Sequence, residues 1–225
     1  MPTPRISRLT GDPSILQALL VFLRFTSPRL LVLFTALALG IRVALGGFTP
    51  WDLLLVGGML LTQPFFEWAM HVFVLHFKPR KVGPWTVDLH AARMHRIHHR
   101  EPWRLDWVFI PLRTGARALA IMTALWYLAL PTVELFATAM AWTFVSALAY
   151  EWIHYLTHTN FRPRTAFFRE RWRLHRLHHF KNENYWMGVT GHLGDRVLGT
   201  LPRDPRDVET SETSRTLGVD DPTPA

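Results

Sequence analysis

Four long apolar runs punctuate the chain: Leu30 to Leu45, Leu53 to about Leu75, Ala118 to Leu130, and Leu135 to about Ala149. Between them lie stretches dense in Arg and His. Four apolar helices would leave a soluble bundle little polar surface to solvate it, so the alternation reads as a membrane protein. A helix needs roughly 20 apolar residues to cross the hydrocarbon core. The third run is shorter than that, with Arg113 and Arg117 placed to snorkel from its end. Short links join the runs in pairs. In the first link Thr49, Pro50 and Asp52 have the order of N-cap, first-turn proline and capping-box acid. In the second, Pro131, Thr132 and Glu134 make a tight turn and a new helix start. The pattern predicts an all-α integral membrane protein with four transmembrane helices in two hairpins.

The flanks read differently. Residues 1–28 form an N-terminal arm. Within it Pro13 to Phe25 reads as an amphipathic or interfacial helix, or as an arm packed on the protein. No small-residue cleavage site follows Ile15 to Leu23, which argues against a signal peptide. After about Pro202 the chain is rich in Asp, Glu, Thr, Ser and Pro, and 202–225 reads as a disordered polar tail. Residues 29–201 remain as the membrane-embedded domain.

Charge sets an orientation. The net charge is +8. A basic chain suits nucleic acid or an anionic membrane surface, and the apolar runs decide for the membrane and against nucleic acid. Lys and Arg concentrate in 78–117 and 162–181, and the two hairpin turns carry none. The positive-inside rule then puts both Arg-rich segments and both termini on the cytoplasmic side, with a bacterial inner membrane as the expected location. There are no cysteines, which excludes disulfides and thiolate metal sites.

Histidine carries the candidate chemistry. Ten of the 12 histidines fall in four clusters: His71 and His76; His95, His98 and His99; His154 and His158; His175, His178 and His179. Each triplet has i, i+3, i+4 spacing and presents one helical face, as does the pair His154 and His158. His71 and His76 lie roughly 140° apart on an ideal helix, so they serve one centre only if the helix is irregular there. Pro64 and Lys78-Pro79 make such an irregularity reasonable. Neutral imidazole is the commonest biological metal ligand. Ten are too many for one ion and suit two ions at about five each. Nitrogen-rich sites suit iron, zinc, copper or nickel, and ligand type alone does not choose.

The chain also repeats itself. Glu67-Trp68 leads into the first His pair and Glu151-Trp152 into the second. MHRIHH (Met94 to His99) answers LHRLHH (Leu174 to His179), so each half offers five ligands. Glu67 and Glu151, about one turn before the first His of each pair, read either as carboxylates that orient an imidazole or as helix-end carboxylates paired to a nearby Arg. Arg96 and Arg176, inside the triplets, read as solvated or membrane-facing. His90 and His192 lie near the clusters but off the pattern, as possible extra ligands or pocket residues. A bis-histidine haem carrier would leave the triplets unexplained. A metal transporter would want its ligands near the bilayer midplane.

The four motifs in order, H-x4-H, H-x2-H-H, H-x3-H and H-x2-H-H, together with HHFKNENYWMGVTGHLGDRVLGT (His178 to Thr200), resemble the fatty acid hydroxylase superfamily. That group includes fatty acid 2-hydroxylases, sterol desaturases and carotenoid hydroxylases. The resemblance runs from about Phe66 to Thr200. It implies two metal ions, normally iron with zinc possible in purified protein, held by the ten clustered histidines in a cytoplasmic helical cap. It implies dioxygen as co-substrate and hydroxylation of a fatty-acyl or related lipid drawn from the bilayer. Desaturation, or action on a sterol or carotenoid, is the alternative. Asp195, in the C-terminal signature, joins the candidate supporting carboxylates. A fused haem donor domain has no room in this chain, so the resemblance implies a separate ferredoxin- or cytochrome-type donor with its reductase. Gly191-His192-Leu193-Gly194 departs from the pattern, where a small polar residue and an aromatic one are expected.

Overall fold

The computed structural model describes residues 11–219. In chain order it contains α1 (Ile15–Phe22), α2 (Thr26–Leu45) and α3 (Pro50–Ala69), which runs into a π-helical turn (Met70–Leu75). A hairpin of β1 (Arg80–Val82) and β2 (Trp85–Val87) leads to α4 (His90–Arg100). Then come α5 (Leu112–Ala129), α6 (Val133–Thr157), α7 (Ala166–Phe180) and α8 (Leu193–Leu198).

Four stretches are long and apolar enough to cross a membrane: Thr26–Leu45, Pro50–Leu75, Leu105–Ala129 and Val133–Thr157. Their apolar side chains point outward; Leu53 is 78% exposed and Leu128 82%. Leucines so exposed are unfavourable in water and suited to acyl chains. The third stretch reaches spanning length by including the turns before Ala118. The helix starts follow the sequence signals. The Thr49 N–H donates to Asp52 Oδ2 at 2.8 Å, and Thr132 Oγ1 accepts from the Leu135 N–H at 3.3 Å.

Helix α6 is the centre of the bundle and packs on α2, α3 and α5, most extensively on α2. Arg42, Asp52 and Thr138, all buried, pin α2, α3 and α6 together near the hairpin turns. Arg42 Nη2 lies 2.8 Å from Asp52 Oδ1, which also accepts from the Thr138 hydroxyl. A charge at that depth is tolerated only when paired. The histidines sit at the other ends of α3 and α6.

The structure adds a small hairpin, selects between the two readings of the N-terminal arm, and departs from the expectation for the tail. The described residues are mostly helical, with one short β1–β2 hairpin in which Val82 pairs with Trp85 across a turn at Gly83, φ +60°. Helix α1 buries Ala18 and Phe22 against Phe109, Tyr155 and Leu156, while Leu16 and Leu20 on its other side are exposed. The Tyr155 hydroxyl donates to the Ala18 carbonyl at 3.0 Å, so α1 is a packed arm with an apolar outer face. The expectation of a disordered tail is corrected over 202–219. Val208 joins Leu174 and Trp186 in a core cluster, and Ser214 and Leu217 are buried. Few apolar residues are needed there, because the backbone of this segment finds hydrogen-bond partners on the ends of α4 and α7. Residues 1–10 and 220–225 of the predicted arm and tail lie outside the described residues.

Candidate metal centre

The π turn answers the spacing problem of the first pair. In it the N–H of residue i+5 bonds the carbonyl of residue i, and the His76 N–H donates to the His71 carbonyl at 2.9 Å. The two rings come to 4.8 Å between centroids. Helices α4 and α7 each carry a triplet, and the end of α6 carries His154 and His158. Two groups of five result: His71, His76, His95, His99 and His178; and His98, His154, His158, His175 and His179. In each group, one nitrogen per ring can be chosen so that all lie within 4.8 Å of one another.

The partition is not by halves. Within a triplet the first and third histidines, four apart, share a face. The middle one lies about 100° from the third and points elsewhere. His95 and His99 therefore join the first group while His98 crosses to the second; His175 and His179 join the second while His178 crosses to the first. The groups abut, with the His99 and His179 rings 4.1 Å apart between centroids.

The donor set fits a cation. His71 Nδ1 lies 2.6 Å from the Met187 carbonyl, His99 Nδ1 2.8 Å from the Ser214 carbonyl, and His178 Nδ1 2.8 Å from the Tyr185 carbonyl. Each Nδ1–H donates outward, which leaves the Nε2 lone pair directed inward. The Nε2 atoms of His71 and His99 both face His95 Nε2 at 3.1 Å. One proton on His95 satisfies only one of them, whereas a cation satisfies all three. In the second group His158 Nε2 lies 3.2 Å from His154 Nε2 and 2.9 Å from His175 Nε2. A metal–nitrogen bond of about 2.1 Å puts ligands at right angles about 3.0 Å apart, matching these separations. His76 Nε2, His178 Nε2 and both ring nitrogens of His98 are buried with no hydrogen-bond partner. Burial, reinforced by neighbouring imidazoles, holds His76, His95, His98, His158, His175 and His179 well below the ordinary histidine range. His99 and His178 are pushed down to about 3, mainly by burial. Metal binding requires this neutral form. No carboxylate and no sulfur belongs to either group, so the sites are all-nitrogen.

The supporting carboxylates act at one remove, contrary to expectation. Neither Glu67 nor Glu151 hydrogen-bonds an imidazole. Glu67 Oε2 accepts from the Val189 and Thr190 N–H groups, and Oε1 accepts from the Thr190 hydroxyl. Glu151 Oε1 accepts from the Ser27 hydroxyl at 2.7 Å and the Ile110 N–H at 2.9 Å. Each docks a loop where carboxylate-to-imidazole contact was expected. Asp195, fully buried, accepts from the Met187 N–H at 2.7 Å, the Gly188 N–H at 2.8 Å and the Thr200 hydroxyl at 2.6 Å. It thereby fixes the loop whose carbonyls orient His71 and His178. Two glycines permit this packing. A Cβ on Gly188 would stand 2.9 Å from Asp195 Oδ2, and one on Gly194 only 2.5 Å from the Pro64 carbonyl.

His90 and His192 join neither group. His90 Nδ1 faces the Thr114 hydroxyl at 3.2 Å, and His192 Nδ1 faces Asp195 Oδ2 at 3.2 Å. Arg96 is shielded from solvent and Arg176 is half-buried. Arg96 is buried, bonds Asp88 at 2.8 Å and donates to the Phe77 carbonyl, just past His76. Arg176 lies against the Trp103 and Trp172 rings and donates to the Thr157 and Thr159 carbonyls, on either side of His158. In both halves the motif arginine ties the triplet helix to the carbonyl end of the pair helix, where a cation is favoured. Sequence reasoning missed the orienting carbonyls of Tyr185, Met187 and Ser214. A backbone acceptor leaves no mark in residue identity.

Comparison with known proteins identifies the family. The fatty acid hydroxylase family model matches residues 56–200, well over half of the chain. A dihydroceramide fatty acyl 2-hydroxylase of Arabidopsis thaliana is 28% identical over 150 residues, 66% of this chain and 61% of that protein. A fatty acid 2-hydroxylase of Mus musculus is 26% identical over 151 residues, 66% of this chain and 39% of that one. The chain thus spans less than two thirds of the length of these relatives. The hydroxylase domain in the structure of full-length Scs7p superposes with a TM-score of 0.62, at 20% identity, over 89% of this chain and 70% of that one, a likeness of fold. With ten histidines converging in two groups and a family match that contains all ten, the chain belongs to the fatty acid hydroxylase family.

Proposed function

We propose that this chain is a membrane-bound, di-iron, dioxygen-dependent hydroxylase of a fatty-acyl or related lipid. The observation that carries it is the pair of abutting all-histidine groups at one end of four outward-apolar helices. Five ligand atoms within 4.8 Å leave no room for a macrocycle between two axial imidazoles, which disfavours a haem carrier. Bound there, two irons supply dioxygen-dependent oxidation of an unactivated C–H bond, chemistry beyond side-chain acids and bases. The protein contributes the rest. Carbonyls 185, 187 and 214 orient the rings, burial keeps them neutral, and the apolar surround excludes water. The reaction consumes one dioxygen, two electrons and two protons and yields one hydroxylated carbon and one water. The electrons come from a separate ferredoxin- or cytochrome-type donor with its reductase.

The positive-inside rule places this end of the bundle, and so the donor, on the cytoplasmic side. The lipid enters from the bilayer. A cavity of about 210 Å³, lined by Phe25, Met94, Trp107, Phe109, Ile110 and Leu112 among others, lies at the start of α5; Met94 precedes His95 in sequence. It is the proposed berth of the acyl chain.

The test is expression of the wild type and His175→Ala with a matched donor system, followed by mass analysis of host lipids. A His175-dependent gain of one oxygen is expected. A lipid profile indifferent to His175 in a donor-competent host overturns the proposal, and loss of two hydrogens reassigns the chain to desaturation.

A further inference from the structure

The segment after Thr200 lies beyond the matched family region, yet it reaches the metal centre. It leaves α8, buries Val208 beside Leu174 and Trp186, and then crosses the ends of both triplet helices. On the α7 side the Ser211 N–H donates to the Lys181 carbonyl at 2.7 Å. The Asn182 amide donates to the Glu209 carbonyl at 3.1 Å, and the Thr213 hydroxyl donates to Glu183. On the α4 side Arg215 Nε donates to the His99 carbonyl at 2.6 Å, and its Nη2 to the Arg100 carbonyl. Arg100 returns a bond to the Val219 carbonyl at 2.6 Å. Between these anchors the Ser214 carbonyl accepts from His99 Nδ1 at 2.8 Å. The chain then turns back at Leu217, φ 52°, whose side chain is buried.

From this geometry we infer that residues 208–219 form a strap that belongs to the metal centre, and that Arg215 is a positioning residue for the first histidine group. The inference rests on reading the two groups as metal sites. The strap covers the ends of α4 and α7 and holds the His99 tautomer that sends its lone pair to His95 and the ion. It acts on one group only. In the second group the Nδ1 atoms of His98, His175 and His179 have no hydrogen-bond partner among the described residues. Loss of a partner that orients a ligating imidazole lowers metal affinity by about 10–100-fold. Releasing the strap therefore weakens one of two ions.

The experiment uses the full chain purified in detergent and loaded with cobalt(II), whose absorption reports histidine ligation. Wild type, Arg215→Ala and Arg215→Lys are mixed with a chelator and metal release is followed. Arg206→Ala, which removes only the exposed pairing with Asp204, is the control. The expected result is two ions per chain in every variant at saturation. In Arg215→Ala one of them leaves about 10–100-fold faster, with the other unchanged. Arg215→Lys, which keeps one carbonyl contact, is intermediate and serves if Arg215→Ala aggregates. Two ions in the wild type with superimposable release curves for the Arg215 variants overturn the strap, while the metal reading stands. Equal acceleration of both ions overturns the assignment to one group. A wild type that binds no metal overturns the metal reading and this inference with it.

Discussion

Asp195→Asn tests the idea that the first histidine group is held by a loop rather than by a carboxylate. The four contacts to Asp195 are two backbone N–H groups, one hydroxyl and the His192 ring. An amide keeps one acceptor oxygen. If that oxygen serves Met187 and Thr200, the new NH2 group meets the Gly188 N–H donor to donor. One buried N–H loses its partner, at about 1–3 kcal/mol, and the two remaining bonds lose charge assistance, at about 1 kcal/mol each. The sum, about 3–5 kcal/mol, is a large share of a typical domain's stability of about 5–15 kcal/mol. The Met187 and Tyr185 carbonyls shift with the loop, so the first group loses metal affinity by about 10–100-fold while the second does not. Thermal unfolding in detergent and metal content after a chelator titration measure the two effects. Burial raises the Asp195 pKa, but hydrogen bonds from His192, Thr200, Gly188 and Met187 outweigh it and hold the carboxyl below its usual range. Its stabilisation is therefore present above the ordinary carboxylate pKa and fades as pH falls through the lowered one. The gap between variant and wild type narrows below about pH 4. An Asp195→Asn protein with two ions at wild-type affinity and an unchanged midpoint refutes the reasoning.

The other predictions concern the arginines and the histidines as acids. Arg176→Met frees the Thr157 and Thr159 carbonyls and detaches α7 from the end of α6, so metal loss in this variant falls on the second group; Arg96→Met shifts it to the first. Site-resolved release of cobalt distinguishes them. Arg42→Met strands Asp52 without its cation and lowers stability by about 3–5 kcal/mol with no change in metal content. Adding Asp52→Asn restores much of the loss, as denaturant titration in detergent reads directly. In metal-free protein the cap histidines outside the spans are held below their ordinary value, so the unfolded chain takes up protons that the folded one refuses. Their stabilisation is complete above pH 6.5 and is lost progressively toward about pH 3, the value for His99 and His178. An unfolding midpoint flat between pH 7 and pH 4 contradicts this.

What the sequence made legible follows from how far each signal acts. Apolar run length gave the four spans, because lipid demands continuous apolar surface. Helical spacing gave the clustered histidines, because i, i+3 and i+4 fix a face whatever the rest of the fold does. The π turn was foreseen only as an irregularity between His71 and His76. The partners of Glu67 and Glu151 were not legible, because each docks a loop rather than an imidazole, and Asp195 acts through a loop backbone. Asp195 lies eight residues from Met187 and Glu67 lies 122 from Val189, and nothing in those spacings names the partner. Arg96 and Arg176 looked solvated because Arg usually is. The burial of Arg96 and the half-burial of Arg176 depend on Asp88 and on helix-end carbonyls that composition does not reveal. Residues 202–219 of the tail were misread for the same reason, since they are held by backbone bonds and by two apolar residues, Val208 and Leu217.

The partition of the ligands has a consequence that the repeat itself conceals. If each half of the chain held its own ion, the halves could load and fold independently. The crossing of His98 and His178 forbids that, because each half supplies four histidines to one group and one to the other. An ion in the first group then ties the π turn and α4 to α7, and an ion in the second ties α6 and α7 back to α4. Metal binding couples to folding wherever the ligand set is absent from the unfolded chain. Here the coupling acts across the two halves rather than within them. Arg96 and Arg176 do the complementary work inside each half, fixing triplet helix to pair helix. The single middle residue of each triplet, turned about 100° from the third by ordinary helix geometry, is enough to convert two similar halves into one centre.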